Sequence, residues 1–449
     1  MRADLIERYD LRVPRYTSYP TAPHFGPRVD AARYATWLGA LAPDTPLSLY
    51  AHVAYCAEMC WFCGCHTKAT KKYAPVADYL EALLAEISLV ASKLPSRMGV
   101  RHIHFGGGSP TVLTPDDFTR MVDAMRARFD LLPGAEVAVE LDPRTADEAY
   151  VEAMAKAGVT RASIGVQDFN PKVQAAINRI QPFEVTERVI LWLRAHGIGA
   201  INMDLCYGLP HQTVESVIET VERGASLAPA RIALFGYAHV PWMKTHQRLI
   251  PEDALPDMAE RWRQYEAASA RLQALGYVAI GLDHFALPDD ELVLAQRSGA
   301  LHRNFQGYTT DSAPALIGFG ASAIGSLPHG YVANEIAIDR YKALVREGRL
   351  PIARGIEITG EDRLRRAIIE RLMCDMAVDL DEVLAAHGAA GESFESELAS
   401  LAALEADGIV RREGRRLVMT EEGKPLVRAV CAAFDRYLDT GEARHSRAV

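Results

Sequence analysis

From Ser48 onward, short apolar runs alternate with longer stretches in which apolar residues return every third or fourth position. The first pattern reads as buried strand and the second as amphipathic helix. Strands are predicted at Ser48 to Val53, Arg101 to Phe105, Glu136 to Leu141, Arg161 to Val166, Ala200 to Cys206, Arg231 to Tyr237 and Tyr277 to Gly281. Between them, Val185, Val189 and Leu193 share one face of a helix running to His196, which Gly197 stops. A second helix is expected from Met258 to Leu275, where Met258, Trp262, Tyr265, Ser269 and Leu272 keep the helical rhythm before Gly276. Repeated strand-then-helix units mean a parallel sheet with helices outside, either doubly wound or a complete or partial barrel. In either architecture chemistry gathers at the C-terminal ends of the strands.

The flanks read differently. Residues 1–45 are expected to form an arm covering the active site, because Pro14 to Pro23 is too punctuated for a long helix or a central strand. Residues 46–350 are expected to be the catalytic barrel, its last part, from about 286, being loops that close it. Residues 351–449 lose the alternation and are expected to form a helical domain. Helices are expected at Asp362 to Met373, Leu380 to Ala386 and Phe394 to Ala406. A hairpin turning at Glu413-Gly414 follows, then a helix capped by Thr420 and running through Phe434, a winged-helix-like outline.

Composition narrows the class. The 49% hydrophobic and 24% charged residues are those of a soluble globular protein, and no apolar run approaches the length of a membrane span. With no apolar leader at the N-terminus, a cytoplasmic protein that needs no membrane is expected. A net charge of -9 argues against a generic nucleic-acid binder, so the basic turn Arg411, Arg412, Arg415 and Arg416 reads as a solvated surface.

Four of the seven cysteines, Cys56, Cys60, Cys63 and Cys65, stand within ten residues. An odd number, crowded, suggests metal or redox chemistry rather than a disulfide framework. Structural zinc usually takes two separated pairs, and this spacing does not supply them. A cubane iron-sulfur cluster held by only three thiolates keeps one iron open for an exogenous ligand.

Cys-x3-Cys-x2-Cys followed by a barrel-like repeat resembles the radical S-adenosylmethionine superfamily. The further cysteine in Cys63-Gly64-Cys65 resembles the oxygen-independent coproporphyrinogen III oxidases (dehydrogenases) within it. The resemblance extends through Pro14 to Ala22, Gly106 to Thr111, Gly165 to Asn170, Asp204 to Pro210, Tyr237 to His239, Asp283 to Phe285, His302 to Tyr308 and Cys431 to Leu438. It implies an α/β fold, a partial (β/α)6-type TIM-like barrel, with Cys56, Cys60 and Cys63 on one 4Fe-4S cluster and Cys65 unligated but needed. It implies two S-adenosylmethionine molecules, held by Tyr50, Phe62, Gly107, Gly108, Ser109, Glu140, Gln167, Arg179, Asp204, Ala238 and Ile324. Cys65, Tyr50 and Arg15 are the expected catalytic residues. The implied reaction has a 5′-deoxyadenosyl radical take a hydrogen from a propionate β-carbon of coproporphyrinogen III, after which carbon dioxide and an electron leave. Two rounds give protoporphyrinogen IX. An external low-potential electron donor and an electron acceptor are implied, and a monomer is expected.

The residues support parts of this independently. Polar Glu140, Gln167 and Asp204 at the ends of apolar strands suggest one polar cavity, or else internal hydrogen bonds to neighbouring loops. Gly106, Gly107 and Gly108 permit close backbone approach, as a mere tight turn also would. Arg12 and Arg15 suit the carboxylates of a tetra-acid substrate, or are solvated arginines. His52, His102 and His104 read as satisfied core or rim histidines rather than ligands. Two other functions compete: a haem-binding chaperone of the same superfamily, and a winged-helix redox regulator suggested by the C-terminal outline alone. One departure from the family's pattern is Ala54, where a proline is common two residues before the first cysteine. It is expected to loosen the cluster loop.

Overall fold

A computed structural model describes residues 5, 8–9, 13–389 and 391–438. Arg12 lies outside them. The chain divides into two compact units, residues 25–271 with 311–357, and residues to 24 with 272–310 and from 358.

The larger unit is built on strands β1 (Leu47–Val53), β2 (Gly99–Gly107), β3 (Asp130–Leu141), β4 (Arg161–Gln167), β5 (Ala200–Tyr207) and β6 (Arg231–Gly236). They pair in sequence order and all in parallel. Helices α1 (Ala74–Ala91), α2 (Pro115–Arg128), α3 (Glu148–Lys156), α4 (Phe183–Ala195) and α5 (Val214–Ser226) alternate with them, and α6 (Met258–Ala274) follows β6. Six parallel strands each followed by a helix give the partial (β/α)6 arrangement. The helices start where side chains satisfy their free amides: Thr114 accepts from the Asp117 amide ahead of α2, and Thr213 and Ser216 cap α5 reciprocally. Their apolar faces, Phe118, Met121, Val122 and Met125 in α2 for example, pack toward strands such as β1 that are buried on both sides.

The stretch expected to be loop instead extends this sheet. β7 (Ala315–Phe319) lies parallel to β1, and β8 (Ile324–Leu327), β9 (Gly330–Asn334) and β10 (Ile352–Glu357) continue antiparallel from it. The glycines that read as loop are what let the hairpin close: a Cβ on Gly318 would stand 2.6 Å from the Ile324 carbonyl oxygen. A nine-residue helix, Ala31–Gly39, also forms within the expected arm, where Asp30 accepts from the Arg33 amide and Tyr34, Trp37 and Leu38 are buried.

The smaller unit buries Tyr16 and Tyr19 with Leu364, Ile368, Leu372, Val427 and Phe434. It carries helices Gly360–Asp375 and Leu380–Ala386, and a sheet in which Ala377–Asp379 and Val410–Glu413 flank Arg416–Met419. The hairpin turns at Gly414-Arg415, with Gly414 left-handed at φ 68°. The expected helix from Phe394 to Ala406 is two, broken between Ser400 and Ala402. Thr420 accepts from the Gly423 amide and closes a turn rather than capping a helix. The last helix is Val427–Ala432, entered through a 3-10 turn at Lys424–Leu426 that contains Pro425. In the basic turn, Arg411 pairs with Glu413, Arg412 with Glu405 and Arg415 with Asp381, as suits a solvated surface.

Candidate active site

The cysteine loop runs from the end of β1 and is pinned at its ends by backbone hydrogen bonds, Lys68 to the Ala54 carbonyl and Thr70 to that of Cys56. Its middle is held from two sides. Trp61 donates its amide to Ile177, and Asn178 donates to the Met59 carbonyl. From the loop after β6, Lys244 donates to the carbonyl of Cys65 at 3.0 Å, His246 to that of Cys63 at 2.8 Å and Gln247 to that of Phe62 at 3.0 Å. Phe62 and Trp61 pack against an apolar cluster of Cys206, Leu209, Tyr237 and Ile250, which shields that side from water.

Each of the three proposed ligand sulfurs accepts a donor supplied by the chain. Thr67 Oγ1 lies 3.3 Å from Cys56 Sγ, Arg144 Nη2 3.2 Å and Arg179 Nη1 3.4 Å from Cys60 Sγ, and the Cys65 amide 3.3 Å from Cys63 Sγ. The Cys65 thiol first, then the Cys65 amide and the charges of Lys244 and Arg179, draw the Cys63 thiol down to about 7 against burial. All seven cysteines are free, and Cys65 is the exposed one of the four. Among the described residues, no three His, Cys, Asp or Glu side chains stand together as ligands of a single metal ion. A 4Fe-4S cluster asks for something else, three thiolates on three different irons, and sulfurs already furnished with hydrogen-bond donors fit anionic cluster ligands. The Nη1 of Arg144 and the Nε of Arg179 are buried beside them without an acceptor, a further sign of an anionic guest.

The strand ends supply the polar wall. Glu140 at the end of β3 accepts from the Gly107 amide at 3.1 Å and pairs with His104 Nε2 at 3.0 Å. Burial would raise its pKa, but these bonds and the charge of His104 hold it below the ordinary value, so it is ionised. Asp204 on β5 goes the other way: burial and the neighbouring Glu140 charge lift it to about 7. Gln167 at the end of β4 has φ 72°, a left-handed conformation that costs a non-glycine residue energy and is held by the bulge beside it. Arg179 anchors on the Gly165 carbonyl at 2.6 Å and on Asp142.

Tyr50, half-buried on β1, donates to His52 Nδ1 at 2.9 Å. His52 must do so as acceptor, because its Nε2 donates to the His66 carbonyl at 2.8 Å. Burial pushes His52 down to about 4, so this chain holds a neutral imidazole. His102 pairs with Glu136, so all three strand histidines are hydrogen-bonded within the protein.

The glycines serve the chain itself. A Cβ on Gly106 would stand 2.7 Å from the Glu140 carboxylate and one on Gly107 2.7 Å from His52 Nδ1. The amides of Gly107 and Gly108 are donated to Glu140 and Val53, and the Ser109 hydroxyl bonds Thr111. Ala238 presents its carbonyl to Gln247, and Ile324 opens β8. Arg15 belongs to the other unit, where it is exposed.

Sequence reasoning missed Arg144, Asp142, Lys244, His246 and Gln247. Asp142-Pro143-Arg144, directly after the strand ending in Leu141, carried a signal: an acid and a base at a strand end beside Glu140. The three residues after β6 carried none, being ordinary polar loop residues in sequence.

The radical SAM superfamily model matches residues 50–224, and that of the HemN C-terminal domain residues 358–426. The chain is 53% identical over 450 residues to the oxygen-independent coproporphyrinogen III oxidase of Bradyrhizobium diazoefficiens, with 100% of both chains covered. It is 40% identical over 457 residues to that of Pseudomonas aeruginosa, covering 100% of this chain and 98% of the relative. Among solved structures, the coproporphyrinogen III oxidase (HemN) of Escherichia coli, described as a radical SAM enzyme, superposes with a TM-score of 0.90 at 36% identity. That match covers 95% of this chain and 100% of the other.

Proposed function

Because the chain belongs to the oxygen-independent coproporphyrinogen III oxidases of the radical SAM superfamily, we infer that it converts two propionate side chains of coproporphyrinogen III to vinyl groups, giving protoporphyrinogen IX. Each propionate gives up a β-hydrogen atom, carbon dioxide and one electron, which leaves the carbon-carbon double bond. A 4Fe-4S cluster with S-adenosylmethionine, when bound, supplies the electron and the radical chemistry this requires.

The chain's own residues have the remaining work. Cys56, Cys60 and Cys63 would hold the cluster, and the observation that carries this is the donor set on all three sulfurs. The orphaned Arg179 Nε suits a carboxylate of the cofactor. Glu140, ionised, suits an ammonium, whereas Asp204, near neutrality, suits a ribose hydroxyl it can either donate to or accept from. Tyr50, Phe62, Gly107, Gly108, Ser109, Gln167, Ala238 and Ile324 complete the proposed contacts to two S-adenosylmethionine molecules. Cys65, unligated, and Tyr50 are proposed to act on the substrate, and Arg15 to bind its carboxylates.

An external low-potential reductant and an electron acceptor are required by the electron balance. A cytoplasmic monomer is proposed; seven free cysteines support a reducing compartment. Among the described residues, no helix is long and apolar enough to cross a membrane. The haem-chaperone alternative gains nothing from relatives named as oxidases at high identity over the whole chain.

The test is anaerobic reconstitution with iron and sulfide, then incubation with a chemical reductant, S-adenosylmethionine and coproporphyrinogen III. Mass spectrometry should show loss of carbon dioxide and two hydrogens at each of two propionates. Cofactor cleavage with an unchanged porphyrinogen would sink the reading, and haem binding without turnover would favour the chaperone.

A further inference from the structure

In the smaller unit the hairpin His302–Asn304 and Gly307–Thr309 carries Arg303, which is half-buried. Nε and Nη1 are fully buried and find no hydrogen-bond acceptor among the described residues. A guanidinium has five donors and cannot shed its proton, so burying it without an acceptor is costly.

The side chain is nonetheless fixed. It stacks on the ring of Tyr308, 4.4 Å from the centroid. That ring cannot swing away, because its hydroxyl donates to the Met373 carbonyl at 2.9 Å and accepts from the Leu282 amide at 3.1 Å, while the ring fills the space a Cβ on Gly281 would need. The charge of Asp283 acts on Arg303, but that carboxylate is engaged by His284 Nδ1 at 2.7 Å. Arg15, exposed, also acts on Asp283. Glu370 is committed to His302 Nδ1 and the Arg303 amide. Both nearby carboxylates are thus engaged elsewhere, and the planar donor fork of Arg303 is held rigid with Nε and Nη1 unpaired.

We propose that Arg303 is an anchoring residue for a carboxylate of the substrate, gripping one propionate of the tetrapyrrole bidentately. This rests on the function proposed above, which supplies a four-propionate substrate. The fork geometry selects a carboxylate over a single-point acceptor, and the Tyr308 platform holds the fork ready before the ligand arrives. S-adenosylmethionine also bears a carboxylate, so the two sources are tested against each other.

The experiment uses the full chain, reconstituted, as wild type, Arg303→Lys and Arg303→Gln. Fluorescence titration measures binding of coproporphyrin III and of its tetramethyl ester, which has the same ring and no ionised carboxylate. Equilibrium dialysis measures S-adenosylmethionine. Arg303→Gln should weaken coproporphyrin III binding about 10- to 100-fold, the value of a lost charge-assisted pair, and Arg303→Lys by less. Ester and S-adenosylmethionine binding should not move. Unchanged coproporphyrin III affinity, equal losses for acid and ester, or a loss confined to S-adenosylmethionine would each overturn the assignment. Thermal unfolding checks that the variants fold, and Arg303→Lys keeps the test alive where Arg303→Gln does not. A wild-type chain that binds no coproporphyrin III at all would bring down the proposed function itself, a result separate from any Arg303 effect.

Discussion

Arg144 Nη2 lies 3.2 Å from Cys60 Sγ and 2.7 Å from Asp142 Oδ2, so one guanidinium joins a proposed cluster ligand to a carboxylate at the end of β3. Asp142 is itself held at about 2, burial being outweighed by Arg179 and Arg144, which keeps the pair ionised over the whole physiological range. A positive donor on a cluster sulfur stabilises the thiolate and favours the reduced, more negative cluster.

Arg144→Gln is therefore expected to lower the cluster's midpoint potential by tens of millivolts. That is the scale of a fraction of a charge-assisted hydrogen bond of roughly 1.5–3 kcal/mol expressed over one electron. Redox titration followed by electron paramagnetic resonance on reconstituted protein reads this directly. Arg144→Lys should recover part of the shift. A potential unmoved by either change would mean that Arg144 only supports the loop.

Gly108 answers to a different constraint. A Cβ there would run into Thr67 Oγ1 and come within 2.5 Å of the Tyr55 carbonyl oxygen, a backbone atom that cannot rotate aside. Gly108→Ala should cost about 1–3 kcal/mol of stability through overpacking, before any cofactor is added. The thermal midpoint of the cluster-free protein is the measurement. An unchanged midpoint together with weakened S-adenosylmethionine binding would show that the glycine serves the ligand alone.

These two cases mark what was legible in the sequence. The six parallel strands were, since each is an apolar run between amphipathic helices. So was the cysteine loop, because four thiols in ten residues have few other uses. β7 to β9 were not legible: Gly318, Gly320 and Gly325 break the apolar run locally, and only pairing with β1 makes a strand of Ala315–Phe319. Arg144, His246 and Gln247 act through contacts separated by 84 to 185 positions along the chain, which no local pattern records. The winged hairpin was legible from Gly414, whereas Thr420 misled because a cap and a turn use the same hydroxyl.

Ala54 is fully buried, and its carbonyl accepts from Lys68 at 3.0 Å, so the entry to the cysteine loop is closed by that bond without a proline. Ala54→Pro should still slow iron loss, by restricting the chain where it leaves β1. Iron content after timed exposure to air compares the two proteins. Equal retention would show that the Lys68 bond and the grip of Lys244, His246 and Gln247 already fix the loop.

Glu86 on α1 gives the clearest dependence on pH. It is 1% exposed and accepts from Tyr341 at 2.6 Å, the Gly320 amide at 2.7 Å and Asn334 Nδ2 at 2.7 Å, joining α1 to the helix Ile338–Arg346, to the residue after β7 and to the end of β9. Burial nevertheless lifts its pKa from 4.5 to about 7. Between those values the folded chain holds a proton that the unfolded chain has lost, so this contribution is fully present below about 4.5 and is lost as pH rises toward 7. The loss amounts at most to roughly 3 kcal/mol, at 1.36 kcal/mol per unit. Glu86→Gln carries no titratable proton, and its amide nitrogen must face one of the three donors, so it should be less stable than wild type at pH 5. The gap should narrow by pH 8, where wild type has paid its ionisation cost. Thermal midpoints of both proteins across that range test this, and a gap that stays constant from pH 5 to 8 would show that the three donors hold Glu86 ionised throughout.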